Sequence, residues 1–454
     1  MVNPGSSVVI SVLYLALGGM IGLFLLLFAL SSLFEKRPRA ALLSISFLLI
    51  FSILWTGTLV YLEPPDYILF IPFKLIVILI ILYFIPMGKT TVLEIDKITE
   101  RVDERDIAFA REEYRPGTEK YEIYYSKRPH LKKVDDRIRA LPELLAPGGR
   151  YYDPVESPAI DNVFKEIEAL TFKVDGTVNP GKTDLDPTVI TREIKQRVLG
   201  DGAVDVGVTE LNPMYVYSHV GRGLEKWGEP IANRHRFAIM FALEMDYNHV
   251  ETAPHLPITG ESARQYLSGA RISVSLAEYI RSLGYPARAH IAGSNYQIML
   301  PPVAHSAGLG ELGRLGYLIS PKLGPRVRLG AVTTDLPLVT DQPATFGVQD
   351  FCKRCLKCAV NCPSGAIPSG DKTNVRGVEK WQIDIERCIF YWRVIGTDCG
   401  LCMKVCPFSH PPTLVHNLVR MGIRRSEFAR IVSVWGDDLF YGRKARYERF
   451  PVQI

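Results

Sequence analysis

Three long apolar runs stand at the amino-terminal end of the chain, and shorter apolar stretches alternate with polar ones in the remainder. The runs cover residues 8–34, 40–62 and 67–87 and contain very few charged residues. A helix needs about 20 apolar residues to cross a hydrocarbon layer roughly 30 Å thick. The pattern therefore predicts three transmembrane helices, which we assign to an anchor over residues 1–90.

The distribution of basic residues around these runs predicts an orientation. The loop at residues 35–39 carries three basic residues, the loop at residues 63–66 carries none, and four more lie between positions 88 and 105. Basic residues near the ends of membrane helices stay on the cytoplasmic side. We therefore expect a multi-pass protein of the cell membrane with its amino terminus outside and its soluble domain on the cytoplasmic face.

Helical and strand periods alternate in the middle of the chain. Residues 188–199 have helical spacing, residues 204–208 resemble a strand, and residues 237–245 form an apolar run suited to a buried strand. Residues 271–283 place apolar side chains on one helical face, and Gly284 follows as a helix stop. This alternation predicts a layered core of helices and strands.

Changes in composition along the chain suggest the remaining boundaries. Residues 88–150 are rich in charge and lack a clear period, and we expect a linker and an N-terminal extension over residues 91–187. The predicted segments after the anchor are this extension, a core over residues 188–345, a cysteine-rich domain over residues 346–415 and a C-terminal extension over residues 416–454.

Overall composition excludes several classes of protein. The chain has 454 residues, of which 47% are hydrophobic and 22% charged, so it is too apolar to be disordered. Its 53 Lys and Arg residues against 48 Asp and Glu residues give a net charge of +5. That charge is too dilute for a nucleic-acid-binding surface, so we expect no nucleic-acid partner.

Two glycine patterns match known loops but lack their context. Residues 176–183 satisfy the phosphate-loop pattern, yet Asp184 and Asp186 follow where phosphate would lie, which favours a plain turn. Residues 308–313 satisfy the dinucleotide pattern, but prolines rather than an apolar strand precede them. Those glycines are suited to a tight turn or to close backbone approach to a large flat group.

All eight cysteines lie between positions 352 and 406, which favours a metal site over scattered disulfides. The first four have the spacing C-x2-C-x2-C-x3-C-P, in which three thiolates bind one iron–sulfur cubane and the fourth binds a neighbouring one. Zinc knuckles do not share ligands in this way. The spacing predicts two [4Fe–4S] clusters that relay electrons, one held by Cys352, Cys355, Cys358 and Cys406, the other by Cys362, Cys388, Cys399 and Cys402.

Four further motifs precede the cysteines in a fixed order. They are SLAEYIRSLGY at residues 275–285, AGLGELGRLGYLISP at 307–321, GPRVRL at 324–329 and TDLPL at 334–338. Together with the cysteines, they resemble the reductive dehalogenase family, whose members are corrinoid and iron–sulfur enzymes related to epoxyqueuosine reductase. The resemblance spans roughly residues 170–410.

The resemblance implies an α+β fold in which a nitroreductase-like corrinoid-binding core precedes a ferredoxin-like module with two [4Fe–4S] clusters, here preceded by the three transmembrane helices. It also implies cobalamin bound base-off between core and module. We expect the contacts to the corrinoid to come from Gly308, Leu309, Gly310 and Arg314.

Three catalytic positions are implied by the same resemblance: Tyr266 as proton donor, Asn295 as a polar contact and Arg328 beside the tyrosine. Their chemistry suits these roles. A guanidinium next to a phenol stabilises the phenolate and so lowers the cost of proton donation. An amide orients a polar substituent without ionising.

The predicted function is a membrane-anchored, corrinoid-dependent reductive dehalogenase, an oxidoreductase that removes halide from an organohalide with electrons relayed through the two clusters. Its expected partners are the organohalide, membrane lipid and an electron donor such as a quinol, a ferredoxin or another redox protein, as in anaerobic organohalide respiration. The sequence leaves the oligomeric state open, a homo-oligomer included.

Two alternatives stay open. An epoxyqueuosine-reductase-like enzyme would have an aspartate near position 295 and no membrane helices, whereas residues 294–296 contain no carboxylate. A membrane-bound iron–sulfur electron-transfer subunit would bind no corrinoid and no substrate. The fused anchor also departs from respiratory members of the family, which are commonly exported through a twin-arginine signal and tethered by a separate membrane protein.

Overall fold

The computed structural model describes residues 4–61, 67–293, 296–448 and Phe450. The chain divides into two compact units. One combines residues 1–91 with residues 410–445, and the other combines residues 92–409 with residues 446–454. The carboxyl-terminal helices thus belong to the same unit as the apolar amino-terminal ones.

The helices, in chain order, are α1 (Pro4–Phe34), α2 (Pro38–Tyr61), α3 (Tyr67–Phe84), α4 (Ala108–Glu112), α5 (Glu119–Lys127), α6 (Pro129–Arg139), α7 (Glu156–Ala169), α8 (Pro187–Gly200), α9 (Tyr247–Glu251), α10 (Leu256–Ser282), α11 (Leu300–Ser306), α12 (Val348–Cys355), α13 (Lys357–Asn361), α14 (Ile385–Ile395), α15 (Leu401–Lys404), α16 (Leu414–Arg425) and α17 (Glu427–Tyr441). The strands are β1 (Asp205–Glu210), β2 (Phe237–Glu244), β3 (Ala287–His290), β4 (Glu311–Leu312), β5 (Leu318–Ile319), β6 (Val327–Thr334), β7 (Thr373–Val375) and β8 (Val378–Lys380).

Two helices of the first unit, α1 and α2, are long and apolar enough to cross a membrane. Most of their large side chains are exposed, as expected for surfaces that would face lipid. The third predicted span corresponds to α3, whose described side chains cover only Lys74–Phe84. Among the described residues, the structure therefore shows two candidate spans rather than the three predicted.

The same unit packs α16 and α17 against the apolar helices. The rings of Phe28 on α1 and Phe440 on α17 lie 4.7 Å apart. The hydroxyls of Tyr83 on α3 and Ser433 on α17 lie 2.8 Å apart. Aromatic and polar contacts of this kind fix the end of the chain to its beginning.

A four-stranded antiparallel sheet organises the second unit. Its strand order is β1-β2-β6-β3, with Met240 of β2 opposite Ala331 of β6. Seven of the eight residues of β2 are buried, because the sheet is covered on both faces. The apolar run at residues 237–245 therefore forms a buried strand, as predicted, and the predicted helix at residues 188–199 is α8.

Helix α10 is longer than its sequence pattern indicated. The predicted segment, residues 271–283, forms only its second half. Pro257 stands in its first turn, and Gly284 follows its end with a φ of +86°, a conformation that suits glycine. The extra turns at the amino-terminal half carry Tyr266 against the sheet core.

The segment expected as a linker contains helices α4 to α7. Four tyrosines between positions 114 and 125 are buried together, and Arg111 donates a hydrogen bond of 2.9 Å to the buried Asp135. These helices contain many charged residues and are stabilised by aromatic and ionic contacts, which is why composition alone suggested a linker.

Neither glycine pattern forms a nucleotide loop. Residues 176–183 contain no helix, and a side-chain oxygen of Asn179 accepts a hydrogen bond from Gly181 N–H in a local turn. The pattern at residues 308–313 follows helix α11 and leads into the short strand β4. The expectation of a plain turn at residues 176–183 is confirmed.

Candidate active site

Four of the eight cysteines meet at the helices α12 and α13. Cys352 and Cys355 lie on α12, Cys358 lies on α13, and Cys406 follows α15. Burial raises the pKa of Cys358 well above its usual range, and the neighbouring thiols of Cys352, Cys355 and Cys406, followed by Cys402, add to the shift. The structure thus groups the four cysteines predicted to hold the first cluster.

The other four cysteines meet around α14 and α15. Cys388 lies on α14 and Cys402 on α15, while Cys399 lies between these two helices and Cys362 ends α13. Burial raises the pKa of the Cys399 thiol well above its usual range, and Cys402, Cys388 and Cys362 add to the shift. All eight cysteines are described, and all are free thiols that are buried or partly buried. Two converging sets of four thiols fit two iron–sulfur cubanes.

A tyrosine and an arginine face each other beside the cysteine module. Tyr266 lies on α10 and Arg328 on β6, with the guanidinium carbon of Arg328 5.1 Å from the centre of the tyrosine ring. The structure therefore brings together two of the three residues predicted to be catalytic. The third, Asn295, lies outside the described residues.

Arg328 is held by polar groups from two elements. Its Nη2 donates to Ser262 Oγ at 2.7 Å and to Asp398 Oδ2 at 3.3 Å. Burial alone would lower the pKa of this guanidinium, but Tyr266 and Asp398 outweigh burial and raise it. The arginine is therefore a permanent cation beside the phenol.

Asp398 connects this arginine to the second set of cysteines. Its two carboxylate oxygens accept hydrogen bonds from Thr259 Oγ1 at 3.0 Å and from Ser262 Oγ at 2.6 Å. The next residue in the chain is Cys399. Asp398 and Ser262 carry no signal in the sequence, because their role depends on contacts between α10, β6 and the cysteine module.

Two more tyrosines border the pair. Burial raises the pKa of Tyr317 well above its usual range, and Cys402, Cys388, Arg328 and Tyr266 are its charged or titratable neighbours. Burial likewise raises the pKa of Tyr296, with Tyr266 next in effect. Tyr317 belongs to one of the motifs already noted, so its position in the sequence could have suggested it.

One polar atom at the site is left for a ligand. Arg328 Nε is buried and has no hydrogen-bond partner among the described residues. Buried donors without a partner are rare in folded proteins, and at an active site they commonly serve a bound molecule. This atom, the guanidinium charge and the phenol of Tyr266 suit a substrate or cofactor with an electron-rich group.

The residues predicted to contact a corrinoid are closely packed within the chain. A Cβ atom on Gly308 would lie 2.7 Å from Gln342 O, and one on Gly310 would lie 2.2 Å from Ile319 O. Leu309 is buried. Arg314 donates to Cys352 O at 3.1 Å, and its guanidinium carbon lies 4.4 Å from the ring centre of Trp381. Their contact with a corrinoid stays a prediction.

Comparison with known proteins identifies relatives of this chain. Residues 351–410 match the family model of the 4Fe-4S dicluster domain. The chain is 33% identical over 294 residues to the tetrachloroethene reductive dehalogenase of Sulfurospirillum multivorans, covering 57% of this chain and 58% of that protein. A more distant relative is the epoxyqueuosine reductase of Escherichia coli, 27% identical over 170 residues, which covers 32% of this chain and 41% of that enzyme.

The fold has a solved counterpart. The catabolic reductive dehalogenase NpRdhA in complex with 3-bromo-4-hydroxybenzoic acid superposes with a TM-score of 0.63 at 27% identity, covering 79% of this chain and 49% of that chain. The chain therefore spans about half the length of that structure. The resemblance to reductive dehalogenases that the motifs indicated is confirmed, and these relatives are oxidoreductases.

Proposed function

We propose that this protein is a membrane-anchored, corrinoid-dependent reductive dehalogenase. The observation that carries the proposal is the Tyr266–Arg328 pair, connected through Asp398 to a module of eight free cysteines. That arrangement places a proton donor, a fixed positive charge and an electron relay in one unit of the chain. It is supported by the likeness to B12-dependent dehalogenation enzymes among solved structures.

The reaction requires one proton and two electrons. A carbon–halogen bond breaks, a carbon–hydrogen bond forms, and halide leaves. When bound, a corrinoid supplies a reducible cobalt that delivers the electrons to the organohalide. The unpartnered Arg328 Nε and the surrounding buried tyrosines fit an enclosed site for such a group. Gly308, Leu309, Gly310 and Arg314 are the residues predicted to hold it.

The chain supplies the proton. Tyr266 O–H donates to the substrate carbon as halide leaves, and the adjacent Arg328 cation stabilises the phenolate that results. Asp398 and Ser262 hold the guanidinium in place. Asn295 is assigned to the polar substituent of the substrate.

The two cysteine sets form the electron path. The set that contains Cys358 and the set that contains Cys399 are electrostatically coupled through Cys402, which lies near both. Tyr317 has cysteines of the second set on one side and Arg328 and Tyr266 on the other. We assign the second set to the cluster that delivers electrons to the reaction site.

The apolar helices α1 and α2 support a membrane anchor. We assign residues 67–87 to a third span, the amino terminus to the outer side and the catalytic unit to the cytoplasm. The expected electron donor is a quinol, a ferredoxin or another redox protein. A dehalogenase of this orientation meets its organohalide inside the cell.

The test is anaerobic reconstitution of the full chain with cobalamin, followed by measurement of halide released from a panel of chlorinated and brominated compounds. Release that needs cobalamin and falls by about 100-fold or more in Tyr266→Phe supports the proposal. Tyr279→Phe is the control, because Tyr279 lies on the same helix but bonds to Glu193 at an exposed position.

Two outcomes would favour the alternatives. Turnover of an epoxyqueuosine-containing tRNA without halide release would indicate the related reductase. A protein with intact clusters that does not bind cobalamin would indicate an electron-transfer subunit.

A further inference from the structure

A buried cluster of histidines and carboxylates lies in the unit of the apolar helices, and none of its residues is assigned to dehalogenation. Glu35 directly follows α1, His410 precedes α16, and His416 lies in the first turn of α16. One donor atom from each of the three lies within 4.8 Å of the others. Glu35 and His416 are only 4% and 6% exposed, so water does not shield them from one another.

The two oxygens of Glu35 face one imidazole each. Oε1 lies 2.5 Å from His416 Nε2, and Oε2 lies 3.2 Å from His410 Nδ1. In a tetrahedral site with metal–nitrogen distances of 2.0–2.1 Å, neighbouring ligand atoms lie about 3.3 Å apart. The three side chains thus need to move by less than about 1 Å to share one ion.

Asp437 on α17 fixes the protonation of His410. The Nε2 atom of His410 lies 3.0 Å from Asp437 Oδ1, and since a carboxylate only accepts, Nε2 carries the proton. In the neutral imidazole, Nδ1 then has a lone pair that faces Glu35. A carboxylate on the remote nitrogen of a histidine is the usual outer support of a metal ligand.

Protons can also join these side chains, because both nitrogens of His410 face carboxylates. If Glu35 accepted a hydrogen bond from Nδ1, His410 would be an imidazolium with protons on both nitrogens. Its ring stacks on that of His416, with centroids 4.6 Å apart and planes inclined by 10°. Two neighbouring rings repel each other strongly if both are cations at that distance, and a bound ion would replace the protons between the carboxylate and the imidazoles.

We propose that Glu35, His410 and His416 bind a divalent transition-metal ion, zinc or ferrous iron, with Asp437 as the outer partner of His410. Two imidazoles and one carboxylate are a common ligand set for both ions. Tyr441 Oη, 3.4 Å from His416 Nε2, borders the remaining coordination position. The ion ties the end of α1 to α16 and α17, and its role is structural.

The experiment is metal analysis of the full chain, purified anaerobically in detergent from cells supplied with zinc. We expect one zinc per chain in addition to the iron of the clusters. X-ray absorption at the zinc edge should show nitrogen and oxygen ligands near 2.0–2.1 Å, including imidazole. A sulfur shell near 2.3 Å would place the zinc in the cysteine sites instead and would contradict the proposal.

Ferrous iron is distinguished from zinc in the same sample. If the site holds ferrous iron instead of zinc, Mössbauer spectra should contain the signal of one high-spin ferrous ion with nitrogen and oxygen ligands in addition to the cluster signals. Absence of both ions from this ligand environment overturns the proposal. Glu35, His410 and His416 would then be held together by hydrogen bonds alone.

Variants locate the ion. Glu35→Gln and His416→Ala should lose the extra metal and keep the full cluster iron, and Asp437→Asn should bind it 10- to 100-fold more weakly. The control is His249→Ala, because His249 also contacts a carboxylate, Asp246, at 2.9 Å but is 42% exposed. Retention of the extra metal in His416→Ala would contradict the assignment.

Folding defects are controlled by a measurement on the unaltered chain. Removal of the ion with a chelator should lower the temperature at which the membrane unit unfolds, and readdition of zinc should restore it. An unfolding temperature that does not respond to chelation or zinc would overturn the structural role. Neither result depends on dehalogenation, so failure of the proposed enzyme activity leaves this test intact.

Discussion

At the scale of single residues, Arg328 shows how the site is held in position. Its guanidinium lies between the phenol of Tyr266 and the carboxylate of Asp398, and Ser262 bonds to both Arg328 and Asp398. A buried cation needs a fixed counter-charge, and Asp398 provides it. The aspartate does not touch the reacting atoms, so it is a positioning residue.

Replacing Asp398 by Asn should therefore lower kcat of dehalogenation by about 10- to 100-fold with little change in KM, since small displacements of a catalytic group cost that much. The measurement is steady-state halide release with iron content determined on the same sample. Asp201→Asn is the control, because Asp201 is exposed at the end of α8. An unchanged kcat with intact clusters would show that Asp398 does not position Arg328 for catalysis.

The functional residues that could be predicted from the sequence are those that belong to motifs with a characteristic spacing. The spacing of the eight cysteines alone predicts two clusters. The assignment of Tyr266 and Arg328 as catalytic residues depends on the resemblance to the family. Ser262 and Asp398 lie 136 residues apart and have no local signal. Their contact exists only because the fold brings α10 to the segment before Cys399.

At the scale of elements, the apolar run of β2 and the period of α8 were sufficient to predict a buried strand and a helix. The short helices α4 to α6 were not predictable, because they are stabilised by buried tyrosines and ion pairs with distant residues such as Glu386. Helical period is a signal of one-sided apolar burial, and these helices bury polar atoms as well.

One packing contact between elements can be tested directly. A Cβ atom on Gly207 of β1 would lie 2.0 Å from Ala307 O, just after α11. Gly207→Ala should destabilise the unit by about 1–3 kcal/mol, because overpacking forces the backbone to shift. The measurement is the temperature at which helical circular dichroism and the cluster absorbance are lost.

The matched substitution is Gly200→Ala at the end of α8, where no heavy atom lies within 4 Å of the added methyl group. It should leave the unfolding temperature unchanged or raise it slightly, since alanine favours helix over glycine. Equal effects of the two substitutions would show that the contact between β1 and the end of α11 is not close.

At the scale of the whole molecule, the last helices pair with the first. The sequence suggested a separate extension over residues 416–454, whereas residues 410–445 form one unit with residues 1–91. Ser426 Oγ donates to Leu82 O at 2.6 Å across 344 positions of the chain. Neither α16 nor α17 carries a signal of where its apolar face will be covered, so this pairing could not be predicted.

The proposed topology has its own test. A reporter that folds only in the cytoplasm, fused to the carboxyl terminus, should be active, and a reporter active only outside should be silent at the same position. Fusion of the same reporters to the loop at residues 63–66 serves as the control and should give the opposite pattern, because this loop lies on the outer side in the proposed topology. Activity of the external reporter at the carboxyl terminus would contradict a cytoplasmic catalytic unit.

The proposed dehalogenase activity requires two [4Fe–4S] clusters and a corrinoid in the intact enzyme. Eight cysteines in two sets of four predict eight irons and eight acid-labile sulfides per chain, and the proposed cofactor adds one cobalt. The decisive measurement is iron, sulfide and cobalt analysis of anaerobically reconstituted protein. Eight cluster irons with one cobalt is the predicted result, to which ferrous iron bound by Glu35, His410 and His416 would add a ninth iron. Four cluster irons, or eight without cobalt, would contradict the proposed enzyme.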